Sequence, residues 1–238
     1  MKLYTINGAY KYSLRALLVF IIFIALILGI YIYYYPYYST TSSIDALSPS
    51  NIDEFILNAR TGNPGVQDAI AGALSKPHRH MATLALFLEA IGRLGESGSI
   101  YCSQLRLLEK AGLSDRRIVT SLAFAQASNC NDMSKLAQLE EGLTFADTQL
   151  DAIRYLGFLK EKAEDSAVQI VICFLESSEE DHRLRDACKS AFHSITGRDL
   201  SVFTNEKMRV LKRPSEPPQD RPGANTAKNE TPETDATK

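Results

Sequence analysis

The segment Leu14 to Ile32, LRALLVFIIFIALILGIYI, constrains the chain most, because it is apolar throughout and bare of charge once Arg15 is passed. At about 1.5 Å of rise per residue, such a helix covers the roughly 30 Å hydrocarbon core of a bilayer. It also satisfies its own backbone polar groups where no water is present to do so. Tyr10 and Tyr12 precede it, and Tyr31, Tyr33, Tyr34, Tyr35, Tyr37 and Tyr38 follow, rings suited to the headgroup level. A transmembrane helix is therefore expected over 14–35, behind a short N-terminus at 1–13. A cleaved signal peptide is the competing reading. The run is longer than a signal's usual ~7–15 apolar residues and ends in bulky YIYYYPYY where a signal would carry its small-x-small cleavage site, which favours an uncleaved anchor.

Charge asymmetry sets the expected orientation. Lys2, Lys11 and Arg15 precede or open the span, and no Lys or Arg recurs until Arg60. Basic residues stay on the cytoplasmic side, so the N-terminus is expected there and the rest of the chain on the exported side. In a bacterium this is a single-pass inner-membrane protein with a periplasmic domain.

A polar linker is expected over 36–48, where STTSSIDALS reads as a solvated stalk. Residues 49–212 read as an all-α domain. Ile52, Phe55, Ile56 and Ala59 share one face of a first helix that stops at Thr61 to Gly65. A short helix from Val66 to Leu74 is broken at Lys76-Pro77, and Met81 to Leu94 is apolar around most of its circumference. Leu105, Leu108 and Ala111 mark the next helix, closed by Gly112. Ser114 is expected to cap a helix striped by Ile118, Leu122 and Ala125, and Asn131 or Asp132 to open another through Leu136, Leu139 and Leu143. Thr144 and Asp147 suit the start of Leu150, Ile153, Leu156 and Leu159. The stretch VQIVICFL has Val168, Val171, Ile172 and Leu175 as a helical stripe, although its β-branched content also suits a strand. Ser177 and Glu180 form a capping box for Leu184, Cys188, Ala191 and Ile195, stopped by Gly197. From Arg213 the composition turns Pro-rich, with five of the nine prolines and few large apolar residues, so 213–238 reads as a disordered tail.

The second helices recur. Aligning Ala90-Ile91, Ser121-Leu122, Tyr155-Leu156 and Ala191-Phe192 gives separations of 31, 34 and 36 residues. A period of thirty-odd residues with two helices per unit is the mark of an α-solenoid, whose units must stack to bury their apolar faces. The segment LRDACKSAFHSITGRD, Leu184 to Asp199, resembles the second helix of a short bacterial HEAT repeat, and LFLEAIGRLGES, Leu86 to Ser97, resembles the same pattern. The resemblance covers Val66 to Leu200 and is poor around Leu122, which lacks the Gly after its paired residues. It implies a stacked helical scaffold that binds other molecules, and it carries over no catalytic residues. The tetratricopeptide repeat has a similar period and the same helix-pair architecture.

Chemistry is harder to find. The chain has no G-x-S-x-G, no P-loop, no H-E-x-x-H and no EF-hand loop, so no catalytic, cofactor or metal site is expected. A net charge of -2 gives no electrostatic case for nucleic acid. His78 and His80 lie two apart beside Pro77 and do not share a helix face, and His182, Cys188 and His193 point to different sides of theirs. Cys102, Cys130, Cys173 and Cys188 lie on the expected exported side, where disulfides form, yet in apolar surroundings where free thiols also sit. Pairing of chain neighbours, Cys102 with Cys130 and Cys173 with Cys188, and free core thiols both fit.

The expected function is that of a membrane-anchored interaction scaffold for a protein partner. Arg116, Arg117, Arg183 and Arg185, near the starts of second helices, are the candidate partner-binding residues, since exposed Arg is enriched in interfaces. The alternative is an accessory enzyme or cofactor-handling protein similar to the HEAT-like chromophore lyases, with a cysteine as nucleophile.

Overall fold

The computed structural model describes residues 4–200. The expected tail at 213–238, and 201–212 at the end of the expected domain, lie outside the described residues. Among these the chain is all helix, with no strand.

The first helix, α1, runs unbroken from Tyr4–Asp45, through the expected linker. Its stretch from Ala16 is long and apolar enough to cross a membrane. Leu17, Leu18, Phe20, Ile21, Phe23 and their neighbours to Ile32 are exposed on every side, so nothing among the described residues covers them. From Tyr33 the pattern changes. Tyr33, Tyr37, Thr40, Ile44 and Leu47 turn inward at helical spacing, with Ile44 fully buried. The polar STTSSID stays helical as Thr40 and Ile44 gain cover from the domain, and Thr41 Oγ1 and Ser43 Oγ are satisfied by donating back to the carbonyls of Tyr37 (3.0 Å) and Ser39 (2.9 Å). Pro36 within the helix removes one backbone donor without ending it.

Two layers follow. The outer layer is the end of α1, then α3 (Pro64–Ser75), α5 (Cys102–Lys110), α7 (Leu136–Gly142) and α9 (Ala167–Glu176). The inner layer is α2 (Ile52–Ala59), α4 (Leu84–Gly92), α6 (Arg116–Cys130), α8 (Gln149–Leu159) and α10 (His182–Thr196). In the inner row each helix packs on the next, α2 on α4, α4 on α6, α6 on α8 and α8 on α10, and α1 packs on α3 and α3 on α5 in the outer row. One core holds Phe55, Ile70, Phe87, Leu88, Leu105 and Leu122 together, and Phe55 meets Phe87 edge to face.

Glycine sets two of the close approaches. A Cβ on Gly92 would stand 2.5 Å from the Phe124 ring, and one on Gly157 would stand 3.0 Å from the Ala191 Cα. Bare backbone at these points brings α4 against α6 and α8 against α10. Gly65 likewise abuts the Tyr33 carbonyl, which seats α3 on α1. The Tyr33 hydroxyl donates to Asp68 across the same joint, and His80 Nδ1 meets Asp45 Oδ1 at 2.6 Å at its far end.

Several local expectations move by a residue or a face. Asp115 caps α6, accepting from the amides of Arg117 (2.9 Å) and Ile118 (3.2 Å), in place of Ser114. Asn131 closes α6 in the left-handed conformation, φ 53°, and does not open α7. Asp181 caps α10 through the Leu184 amide (3.0 Å), so the Ser177 and Glu180 box does not form. The stretch VQIVICFL is helical, but it buries Ile170, Val171, Cys173 and Phe174 and exposes Val168, Ile172 and Leu175. Cys102 and Cys130 form a disulfide, while Cys173 and Cys188 are free and buried.

Candidate functional site

The exposed side of the inner layer forms a groove of about 450 Å³ that reaches from Pro49 and Ile52, at the start of α2, across α4, α6 and α8 to Arg183 on α10. Four arginines line it, Arg93, Arg117, Arg154 and Arg183, one from each of the four successive units, together with Asp53, Glu89 and Asp151. Phe158 stands half exposed in its wall, with the Arg93 guanidinium 5.3 Å from the ring centroid. Behind the wall the aromatics stack. Phe124 lies flat on Tyr155, centroids 4.5 Å apart and planes within 3°, and Phe158 leans on Phe124 at 5.9 Å.

Glu89 is the buried charge of the groove. It sits on α4, which is apolar on nearly every other side, and only 7% of it is exposed. Tyr155 donates its hydroxyl to Glu89 Oε2 at 3.3 Å, and the Ser121 hydroxyl lies 2.9 Å behind the phenol. Since the phenol proton points at Glu89, Ser121 is the donor of that second bond. Arg154 Nη2 and Arg93 Nη1 approach Glu89 Oε1 at 3.4 and 3.9 Å. Burial pushes the Glu89 carboxyl above the usual range, and Arg154, Arg93 and the Tyr155 hydrogen bond oppose this. Burial, and then the Glu89 charge, also raises Tyr155, which holds the phenol as a neutral donor.

The other arginines are partly engaged. Arg93 Nη2 meets Asp53 Oδ1 at 2.5 Å, while Asp151 takes Arg117 at 3.6 Å and Arg154 at 3.7 Å. Arg183 has no ion pair among the described residues. A lattice of half-exposed Arg beside carboxylates and an aromatic offers hydrogen bonds and stacking to a ligand.

Of the four arginines expected from the sequence, the groove brings together Arg117 and Arg183 only. Arg116 stacks on Phe145, Cζ 3.9 Å from the centroid, beside a separate hollow of about 120 Å³. Arg185 lies over Phe174 at 4.2 Å and donates to the Ser177 carbonyl at 3.3 Å, fastening α10 to the end of α9. Arg93, Arg154 and Glu89 were not singled out in the sequence. Arg93 follows its aligned pair and Arg154 precedes its own, so the repeat period does not connect them. Among the described residues no group of three His, Cys, Asp or Glu is placed to hold a metal.

The chain matches no described protein family, and neither curated proteins nor solved structures give a match.

Proposed function

We propose that this protein is a single-pass, membrane-anchored interaction scaffold whose HEAT-like helix pairs dock a protein partner in the arginine-lined groove. The reading rests above all on α1, one helix whose exposed apolar length has no cover among the described residues and whose last turns belong to the domain core. Lys2, Lys11 and Arg15 before or at the start of the span support a cytoplasmic N-terminus and an exported domain, periplasmic in a bacterial inner membrane. The groove supplies the docking surface. An accessory enzyme working through a thiol draws no support from the cysteines, because Cys102 and Cys130 are joined and Cys173 and Cys188 are buried.

The experiment is site-specific photo-cross-linking in intact membranes, with the probe at Phe158 in the groove or at Leu107, which is exposed on the outer-layer helix α5. A protein adduct is expected at Phe158 and not at Leu107. External protease should also reach the domain once the outer membrane is opened. Equal labelling at both positions would defeat the docking claim, and a domain protected until the inner membrane is breached would reverse the orientation.

A further inference from the structure

Where α8 meets α10, the groove continues into a second cleft of about 540 Å³ that shares Arg154, Phe158 and Arg183 with it. Its floor is the contact of Gly157 with Ala191, where the absence of a side chain lets the two helices touch. Ala187, Ser190, Ala191 and Ser194 keep the α10 wall low, and Leu150 and Phe158 make the opposite wall apolar. Among the described residues, the only charged ones lining this cleft are Arg154 and Arg183. Arg154 already shares itself between Glu89 and Asp151, at 3.4 and 3.7 Å. Arg183, exposed at the rim in the first turn of α10, has no ion pair among the described residues.

We infer that the cleft binds an acidic segment of a protein partner, with a carboxylate side chain on Arg183 and Arg154 and a neighbouring bulky apolar side chain in the trough above Gly157. The inference deepens the scaffold reading and rests on it. The charge complement decides the class: both cations line the cleft, no carboxylate among the described residues does, and a basic or neutral segment would leave Arg183 without a partner. The shape decides the rest, since a trough walled by Leu150, Phe158 and small α10 residues rewards burial of an apolar group next to the charge. Arginine presents a planar fork of donors that suits a carboxylate better than a point charge would.

The test uses the full chain in nanodiscs of zwitterionic lipid and a fluorescein-labelled peptide of four Glu-Phe-Gly repeats, followed by anisotropy. Its counterpart with Lys in place of Glu is the charge control. The acidic peptide should bind and the basic one should bind at least about tenfold more weakly. Arg183→Ala should weaken the acidic peptide about tenfold, the scale of one charge-assisted hydrogen bond. Ser190→Trp, on an exposed position that the fold tolerates, should block the trough and abolish binding, whereas Arg116→Ala on the other face should change nothing. Binding of the two peptides alike, or acidic binding indifferent to both Arg183→Ala and Ser190→Trp, overturns the inference. So does displacement of the peptide by anionic lipid in an Arg183-dependent way, which makes the cleft a lipid headgroup site. A groove-specific protein cross-link at Phe158 without acidic-peptide binding leaves the scaffold standing and removes this ligand class; Arg183-dependent peptide binding without any protein cross-link does the reverse.

Discussion

Replacing Gly92 by Ala tests whether the close seam between α4 and α6 is fixed by packing. The new methyl would stand 2.5 Å from two Phe124 ring carbons, well inside van der Waals contact. The ring cannot swing aside, because Tyr155 lies flat against it at 4.5 Å and Phe158 leans on it at 5.9 Å. Relief therefore requires the helices to part, and overpacking of this kind costs about 1–3 kcal/mol. Ala is the better helix former by about 1 kcal/mol, less at a helix end, which offsets part of the cost. The net destabilisation expected is about 1–2 kcal/mol, a fall of roughly 2–8 °C in Tm for a domain of this size. Scanning calorimetry or thermal circular dichroism in detergent reads it directly. Adding Phe124→Leu should recover part of the loss, so that the double variant is less destabilised than the sum of the singles. An unchanged or raised Tm for Gly92→Ala, or strict additivity in the cycle, refutes the reasoning.

Removal of the Cys102–Cys130 bridge by Ser at both positions frees a chain separation of 28 residues and should cost roughly 2–4 kcal/mol, read by urea unfolding; no loss would mean that the bridge does not constrain the unfolded chain. The folded state raises Glu89 above its unfolded value, so its contribution is fully present below the unfolded pKa and is lost as pH rises through the folded one. Glu89→Gln should therefore gain on the parent as unfolding is measured from mild acid towards neutrality, and a difference that shrinks over that window sinks the assignment. Gly65→Ala presses a methyl into the Tyr33 carbonyl and should loosen α3 from α1, admitting protease between residues 36 and 48, where the parent stays resistant.

Periodicity was legible in the sequence because it is written in the residues that carry it. Ile52, Phe55, Ile56 and Ala59 all bury, as do Leu105, Leu108, Ile118, Leu122, Ile153, Leu156 and Leu159. What failed was whatever depends on neighbours distant in sequence. The stretch from Ser39 to Asp45 looks like a solvated stalk until α3 is laid against Thr40 and Ile44. Of the tyrosines read as one headgroup belt, Tyr31, Tyr34, Tyr35 and Tyr38 remain exposed, but Tyr33 and Tyr37 turn towards α3. On α9, Val168 and Ile172 are as apolar as Ile170 and Val171, and the packing of α10 and of residues 160–166 decides which pair is covered. Four arginines near helix starts were visible, but selecting among them required knowing that Phe145 and Phe174 occupy two of them. Glu89 gave no signal beyond being a single acid in an apolar helix, and in hindsight a lone carboxylate in LALFLEAIG requires a cationic partner from elsewhere in the fold.

The continuity of α1 has a mechanical consequence. In the scaffold we propose, a flexible tether would let the domain sample a hemisphere above the bilayer, whereas a helix that passes from an apolar span into the core makes span and domain one rigid piece. From Tyr33 to Asp45 the helix is already packed into the domain over about 20 Å of its length, so on that reading the domain follows the span with no free joint between them. On the same reading, a partner tethered in the same bilayer would meet the groove by two-dimensional search with little orientational entropy left to lose. The same stiffness would make the proposed groove answer to the lipid: were bilayer thickness to alter the tilt of the span, the docking face would swing through the same angle.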